Sequence, residues 1–299
     1  AMLDLLVVDV GAVLWALLIF TVLYVAFSKF IAPRQSTRRK MMIASWSAPS
    51  EGNIHGVMEV DVTNAQAYIK ERRAAGEHPT ITHLCIKAVG SGITQAPSLN
   101  GRLVWGKFFP HSHVDVGCLV AIDGGKDLAN AKITNVDTRS IASIGRILRA
   151  KADKLRQKKD KDFNKASQML RWLPVFVIRP LLYWLGFLGS ALGLEIPALG
   201  VRRFPFGTCL VTSVGMLGCE CAFVPFPPYA RVPILVMIGG IADKAVVIDG
   251  EVVVRPMLTI TATIDHRFVD GSEAAKLAAR VRAVLDDPAA FDGEDDGSD

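Results

Sequence analysis

Residues 10–28 form an apolar run that contains no charged residue. A run of this length predicts one membrane-crossing helix, with Trp15 and Tyr24 as candidate interfacial anchors. A cleaved signal peptide is the rival reading, but it calls for a basic start and a shorter apolar stretch, and neither is present. Beyond this run the pattern changes period. Residues 56–63 alternate like a strand, and 64–76 follow at helical spacing, with Asn64 as the expected cap and Gly76 as the stop. A helix start is expected at 38–47, a second helix at 79–97, a strand at 113–123 and a long helix at 135–155. Segments 207–216 and 232–241 read as apolar strands, and 244–256 as a hairpin turning at Asp249-Gly250.

The last strand carries the candidate chemistry. Leu258, Ile260, Ala262 and Ile264 alternate with Thr259, Thr261 and Thr263, the period of a strand with one buried face. It ends in D-H-R-F-V-D-G, which puts His266 at a strand end and Asp270 one residue before a turn at Gly271. Ser272 is the expected cap of the helix that follows. A general base needs an imidazole held at an element edge with its surroundings organised. A capped strand-to-helix junction without chemistry remains the plainer reading of those residues.

These elements predict an α+β domain, a mixed or mostly antiparallel sheet with helices on one side. The organisation expected is a transmembrane anchor at 1–33, a catalytic domain at 34–291 and an acidic, disordered tail at 292–299. Within the domain, 169–200 is a second apolar segment, broken by Pro174, Pro180 and several glycines and preceded by the basic stretch 146–165. It reads either as a surface resting among lipid headgroups or as a buried helical insertion.

Mean hydropathy is +0.32 and the formal net charge is +5. The basic residues gather beside the two apolar segments without interleaved aromatic residues, which favours a membrane partner over nucleic acid. Lys29, Arg34, Arg38, Arg39 and Lys40 follow the first apolar run, so the domain is expected on the cytoplasmic side. The five cysteines form no C-x-x-C pair and no histidine stands at metal-ligand spacing, so packed thiols and no metal are expected.

Taken in order, RRKMMIASW, GTCLVTSVGMLG, FPPYARVPILVMIGGI and DGEVVVRPMLTITATIDHRFVDG resemble the catalytic domain of the acyltransferases of 2-oxo-acid dehydrogenase complexes. The resemblance runs from about residue 38 to 291 and implies the fold shared with chloramphenicol acetyltransferase. It further implies a homotrimer with active sites between subunits, and coenzyme A as acyl donor or acceptor. By the resemblance His266 is the general base, Asp270 holds local structure, and Thr212 donates to the oxyanion with Ser213 as its neighbour. Gly271 completes the motif, and Arg38 or Arg39 pairs with Asp270. Where the family carries lipoyl and subunit-binding domains ahead of the catalytic one, an anchor is expected here instead, so no covalent lipoyl group is expected. Lys244, in a D-K-A setting, reads as an ordinary turn lysine, and a separate lipoyl-carrying protein stays open as a partner. Two functions follow: a membrane-anchored, coenzyme-A-dependent acyltransferase acting on acyl-CoA, or a catalytically idle trimer serving as a scaffold in a membrane assembly.

Overall fold

The computed structural model describes residues 10–26, 52–105, 107–122, 127–157 and 173–293. In chain order they form α1 (Val10–Ala26), β1 (Asn53–Asp61), α2 (Thr63–Ala74), α3 (Ile81–Thr94), β2 (Gly101–Val104), β3 (Lys107–Pro110) and β4 (Val116–Ile122). There follow β5 (Asp127–Ile133), α4 (Ile141–Arg156), α5 (Val175–Gly186), β6 (Cys209–Ser213), β7 (Ile234–Ile248), β8 (Glu251–Asp265) and α6 (Gly271–Asp286). Among the described residues the main sheet runs β1-β8-β7-β6-β4-β5. β6 is parallel to both β4 and β7, and the other pairs are antiparallel. The expected α+β fold with a mixed sheet is therefore present.

One face of the sheet is covered by α2, α3, α4 and α6. Ile69, Leu84, Ile144 and Val281 of these helices join Val116, Val211, Val236 and Ile260 of the strands in one core. Each aliphatic side chain of this size contributes about 1.5–3 kcal/mol when fully buried. Lys87 of α3 is also buried, and its Nζ donates to the carbonyls of Asp137 and Arg139 at 2.8 and 2.7 Å. On the opposite face Leu210 and Leu235 pack under Ala230 and Val232 of the loop that leads into β7.

Several expectations change here. The three threonines of β8 are 3% exposed or less, because Thr261 and Thr263 donate to the carbonyls of Ala222 and Val224 in the covering loop. That strand has two buried faces instead of one. Asp61 accepts from the Thr63 amide and hydroxyl at the start of α2, so Asn64 is not the cap. The hairpin at Asp249-Gly250 belongs to two continuous strands, and Lys244 lies within β7, 2.7 Å from Glu59, not in a turn. β5 and the small β2–β3 pair were not anticipated. Cys219 and Cys221 lie at the surface, whereas Cys85, Cys118 and Cys209 are buried. Asp292, assigned by sequence to the tail, accepts from the Ile141 amide at 2.7 Å and the Tyr68 hydroxyl at 2.5 Å.

The transmembrane expectation gains no support here. The described part of the first apolar run is one helix of 17 residues, Val10–Ala26. Among the described residues no helix is long and apolar enough to cross a membrane. The helix start expected at 38–47, with Arg38 and Arg39, lies outside the described residues.

Candidate active site

The motif turn is held by its own residues and by Gly52 and Phe108. Asp265 ends β8, and its carboxylate accepts from the Arg267 amide at 3.0 Å and from the Arg267 guanidinium at 2.6–3.1 Å. The Phe268 amide closes the turn on the Asp265 carbonyl, and the His266 amide donates to the Gly52 carbonyl, each at 3.0 Å. Val269, 3% exposed, pins the far end of the turn into the core. The Phe268 ring meets Phe108 of β3 edge-on, with centroids 6.2 Å apart. Sequence reasoning passed over Asp265, Arg267 and Val269. The D-x-R spacing was the available signal.

His266 itself is exposed in the single chain. Its Nδ1 lies 2.9 Å from the Val269 carbonyl oxygen. A carbonyl only accepts, so Nδ1 carries the hydrogen and the neutral ring presents Nε2 as its free base.

Asp270 caps α6, accepting from the Ser272 hydroxyl, the Ser272 amide and the Glu273 amide at 2.8, 2.9 and 3.2 Å. The Ser272 hydroxyl first, then these two amides, hold its carboxyl below the usual carboxylate range. The cap is thus Asp270, not Ser272, because a residue ahead of the first helical turn reaches its free amides. Gly271 is the first residue of that helix. It has no positive φ, and a Cβ there would meet nothing, so no sharp turn requires glycine.

Thr212 is buried at 7% exposure on the face of β6 away from the helices, and Ser213 is half-buried at the strand end. No described residue hydrogen-bonds the Thr212 hydroxyl, which leaves it free to donate. Thr212 pairs with Met237 of β7, and Met237 pairs with Thr261 of β8. Two strand spacings and five residues along β8 put roughly 15–20 Å between Thr212 and His266 in one chain. The structure does not bring the two into one site within a single copy.

A family model for the 2-oxoacid dehydrogenases acyltransferase (catalytic domain) matches residues 29–167 and 199–291. The chain belongs to this family. The match leaves out 168–198, most of the second apolar segment, so that segment departs from the family pattern. The dihydrolipoyllysine-residue acetyltransferase component of the pyruvate dehydrogenase complex of Bacillus subtilis (strain 168) is 26% identical over 261 residues, 85% of this chain and 49% of the relative. The chain therefore spans about half the length of that relative. A Bartonella vinsonii subsp. berkhoffii succinyltransferase component of the 2-oxoglutarate dehydrogenase complex is 34% identical over 92 residues, 30% of this chain and 21% of the relative. Among solved structures, a probable dihydrolipoamide acetyltransferase from Listeria monocytogenes 4b F2365 matches with TM-score 0.61 and 22% identity, covering 85% of this chain and 93% of its own. The dihydrolipoamide acetyltransferase of Azotobacter vinelandii, studied for the catalytic role of a serine, a histidine and an asparagine, matches with TM-score 0.62 and 20% identity, covering 89% and 96%. At these identities the structural likeness establishes the shared fold.

Proposed function

We propose that the chain is a coenzyme-A-dependent acyltransferase whose site is completed between copies in a homotrimer. The observation that carries this reading is the His266 ring, whose Nδ1 is tied to the Val269 carbonyl so that Nε2 is the nitrogen left to act as a base. Nε2 takes the proton of an acceptor thiol, and the sulfur attacks the carbonyl carbon of an acyl thioester. The oxygen that gains negative charge accepts from the free Thr212 hydroxyl of a neighbouring copy. One such donor is worth about 3–4 kcal/mol. When the intermediate collapses, the C–S bond of the donor breaks and the departing sulfur recovers the proton from the imidazolium. Asp270 stays outside the proton transfers and holds the helix start beside the turn.

The register separation of Thr212 and His266 supports a site between copies, since one chain cannot apply both residues to the same thioester. The far half of the β7–β8 hairpin supports assembly. Val247, Val252 and Val254 share one of its faces and are 71–72% exposed. An apolar patch of this kind on a single chain marks a contact surface.

Lipid contact is part of the same reading. Leu14, Trp15, Leu18 and Leu23 of the uncharged α1 are 52–66% exposed, and Phe20 meets Phe176 of the family-divergent α5 with ring centroids 5.5 Å apart. An all-round apolar helix favours a lipid phase over water. The basic residues after α1 would add attraction to an anionic lipid surface. A separate lipoyl-carrying protein fits as the acyl carrier.

The deciding experiment measures acyl exchange between coenzyme A and acyl-dihydrolipoamide by purified trimer, wild type against Thr212→Val. A loss of about a hundredfold is expected for one missing oxyanion donor. A trimer inactive in both forms, without affinity for coenzyme A, would instead make the chain a scaffold.

A further inference from the structure

A polar cavity lies at the same end of the sheet as the motif turn but under β4 and β6. Its volume is about 300 Å³, and His111, His113, Lys132, Arg203 and Thr208 line it together with Asp115. Cys209 opens β6 beside Val116 of β4, and β4 stands three strands from β8. The cavity is therefore about 14 Å from the catalytic turn by strand spacing alone.

The charge in this cavity is unbalanced. Asp115 is its one carboxylate, and it is already engaged by Lys132 Nζ at 3.2 Å and the Asn135 amide at 3.2 Å. Arg203 has no carboxylate partner among the described residues. Arg102 approaches from the side, its Nε donating to the Ala191 carbonyl at 2.8 Å. The His111 imidazole is pushed down to about 4 by burial and then by Arg102, with Lys132 and Arg203 adding to that push and Asp115 opposing it. It is therefore neutral near pH 7 and can offer a hydrogen bond without adding charge.

This arrangement is maintained at a cost in backbone strain. Phe204 adopts a positive φ of 43°, which a bulky residue takes only when its surroundings impose it. Two guanidinium groups lie against its ring, with Arg102 4.7 Å and Arg203 5.3 Å from the centroid. The segment absent from the family match supplies the clamp. The Phe204 amide donates to the Gly189 carbonyl at 3.2 Å, and a Cβ on Gly193 would fall 2.4 Å from the Phe204 ring. Gly189, Ala191 and Gly193 all belong to the part that the family model leaves out.

We propose that this cavity binds a phosphate monoester, held by Arg203 and Lys132 with hydrogen bonds from the His111 and His113 side, and that the inserted segment exists in part to build it. Guanidinium and ammonium groups converging on one space match a dianion with several acceptor oxygens. The cavity exceeds what a bare phosphate fills, leaving room for an organic substituent. The cavity uses neither His266 nor Thr212, so its binding of inorganic phosphate can be tested apart from acyl transfer. Two sources share this chemistry, free phosphate compounds and the 3′-phosphate of coenzyme A.

Isothermal titration calorimetry on the full chain, at constant ionic strength, tests the site with inorganic phosphate, coenzyme A and dephospho-coenzyme A. Inorganic phosphate is expected to bind one per chain, and Arg203→Gln to weaken it tenfold or more with an unchanged melting temperature. Lys132→Met, a second variant on β5, is expected to weaken it likewise. Coenzyme A binding tenfold tighter than its dephospho form, with the difference erased by Arg203→Gln, assigns the 3′-phosphate as the source. Equal binding of the two, beside intact phosphate binding, assigns a free phosphate compound. Phosphate affinity unaltered in both variants, or no phosphate binding by the wild type, overturns the proposal.

Discussion

His266 Nδ1 stands 2.9 Å from the carbonyl oxygen of Val269, three residues along its own turn. This contact decides which ring nitrogen is free, and the buried Val269 side chain keeps the carbonyl in place. Removing the ring takes away the proposed base but little packing, since His266 is exposed in the single chain. For His266→Ala we expect acyl exchange to fall by about 10²–10⁴-fold, with trimer mass and melting temperature close to wild type. Exchange equal to wild type in single-turnover assays would remove His266 from the chemistry.

The turn's other side chains act by holding this geometry. Arg267→Ala leaves the Asp265 carboxylate without its guanidinium partner at 2.6 Å, and the pair is exposed on the arginine side, so stability should change by only about 0–1 kcal/mol. The expected signature is a fall in kcat with KM for the acyl thioester nearly unchanged, partly restored in Arg267→Lys. A KM change alone, with kcat intact, would show that Arg267 binds substrate instead of positioning the turn.

Much of this fold was legible because its signals are local. Asp249 and Gly250 take positive φ values of 52° and 86°, the turn that Asp-Gly announces between two apolar runs. The end of β8 at Asp265 likewise follows from its alternation. β5 was missed because Ala129, Asn130, Ala131 and Lys132 are poor strand formers and take their place by pairing with β4. The second buried face of β8 could not be read locally either, since its cover comes from 222–224, some forty residues earlier in the chain. The same limit applies to the candidate site. His266 and Thr212 could each be picked out, but their separation depends on β7 lying between β6 and β8, which strand order alone decides.

The hairpin face carrying Val247, Val252 and Val254 offers a direct test of assembly. A charge there costs the isolated chain little, because these side chains are 71–72% exposed in it. In an interface the same charge is desolvated without a partner, a penalty of several kcal/mol. Val252→Asp combined with Val254→Asp should shift the sedimentation coefficient from trimer to monomer and reduce acyl exchange in proportion. A double variant that stays trimeric and active would move the interface elsewhere.

Asp270 caps α6 with three donors, so Asp270→Ala should lower the melting temperature and activity together, while Asp270→Asn keeps both, since asparagine caps as well as aspartate. The acid response separates the two residues. The folded carboxyl is held below its unfolded value, so its stabilisation is present above about pH 3.9 and disappears as pH falls through the folded value. Asp270→Asn should lose that part of the acid dependence while matching the wild type at neutral pH. Identical acid transitions in the two proteins, followed by circular dichroism, would show that the cap contributes no pH-linked stability.

His83 supplies a second acid response in a higher pH window. It is 7% exposed on α3, its Nδ1 has no hydrogen-bond partner, and Gly145 of α4 passes so close that a Cβ there would lie 2.9 Å from that nitrogen. Burial first, then the charge of Arg149, pushes the imidazole down to about 4. An unfolded histidine protonates near 6.5, so the unfolded chain takes up a proton that the folded one refuses. The stability contributed by the neutral ring is therefore whole above about pH 6.5 and is lost as pH falls toward 4, by about 1.4 kcal/mol per pH unit. His111, also pushed to about 4 by burial and then by Arg102, adds a second proton in the same range. Urea midpoints measured in phosphate-free buffer from pH 7.5 to 5 should fall steeply for the wild type, and His83→Gln should reduce the slope by about one proton's worth. If the slope is unchanged, the buried ring either takes up its proton in the folded state or opens to water before it does.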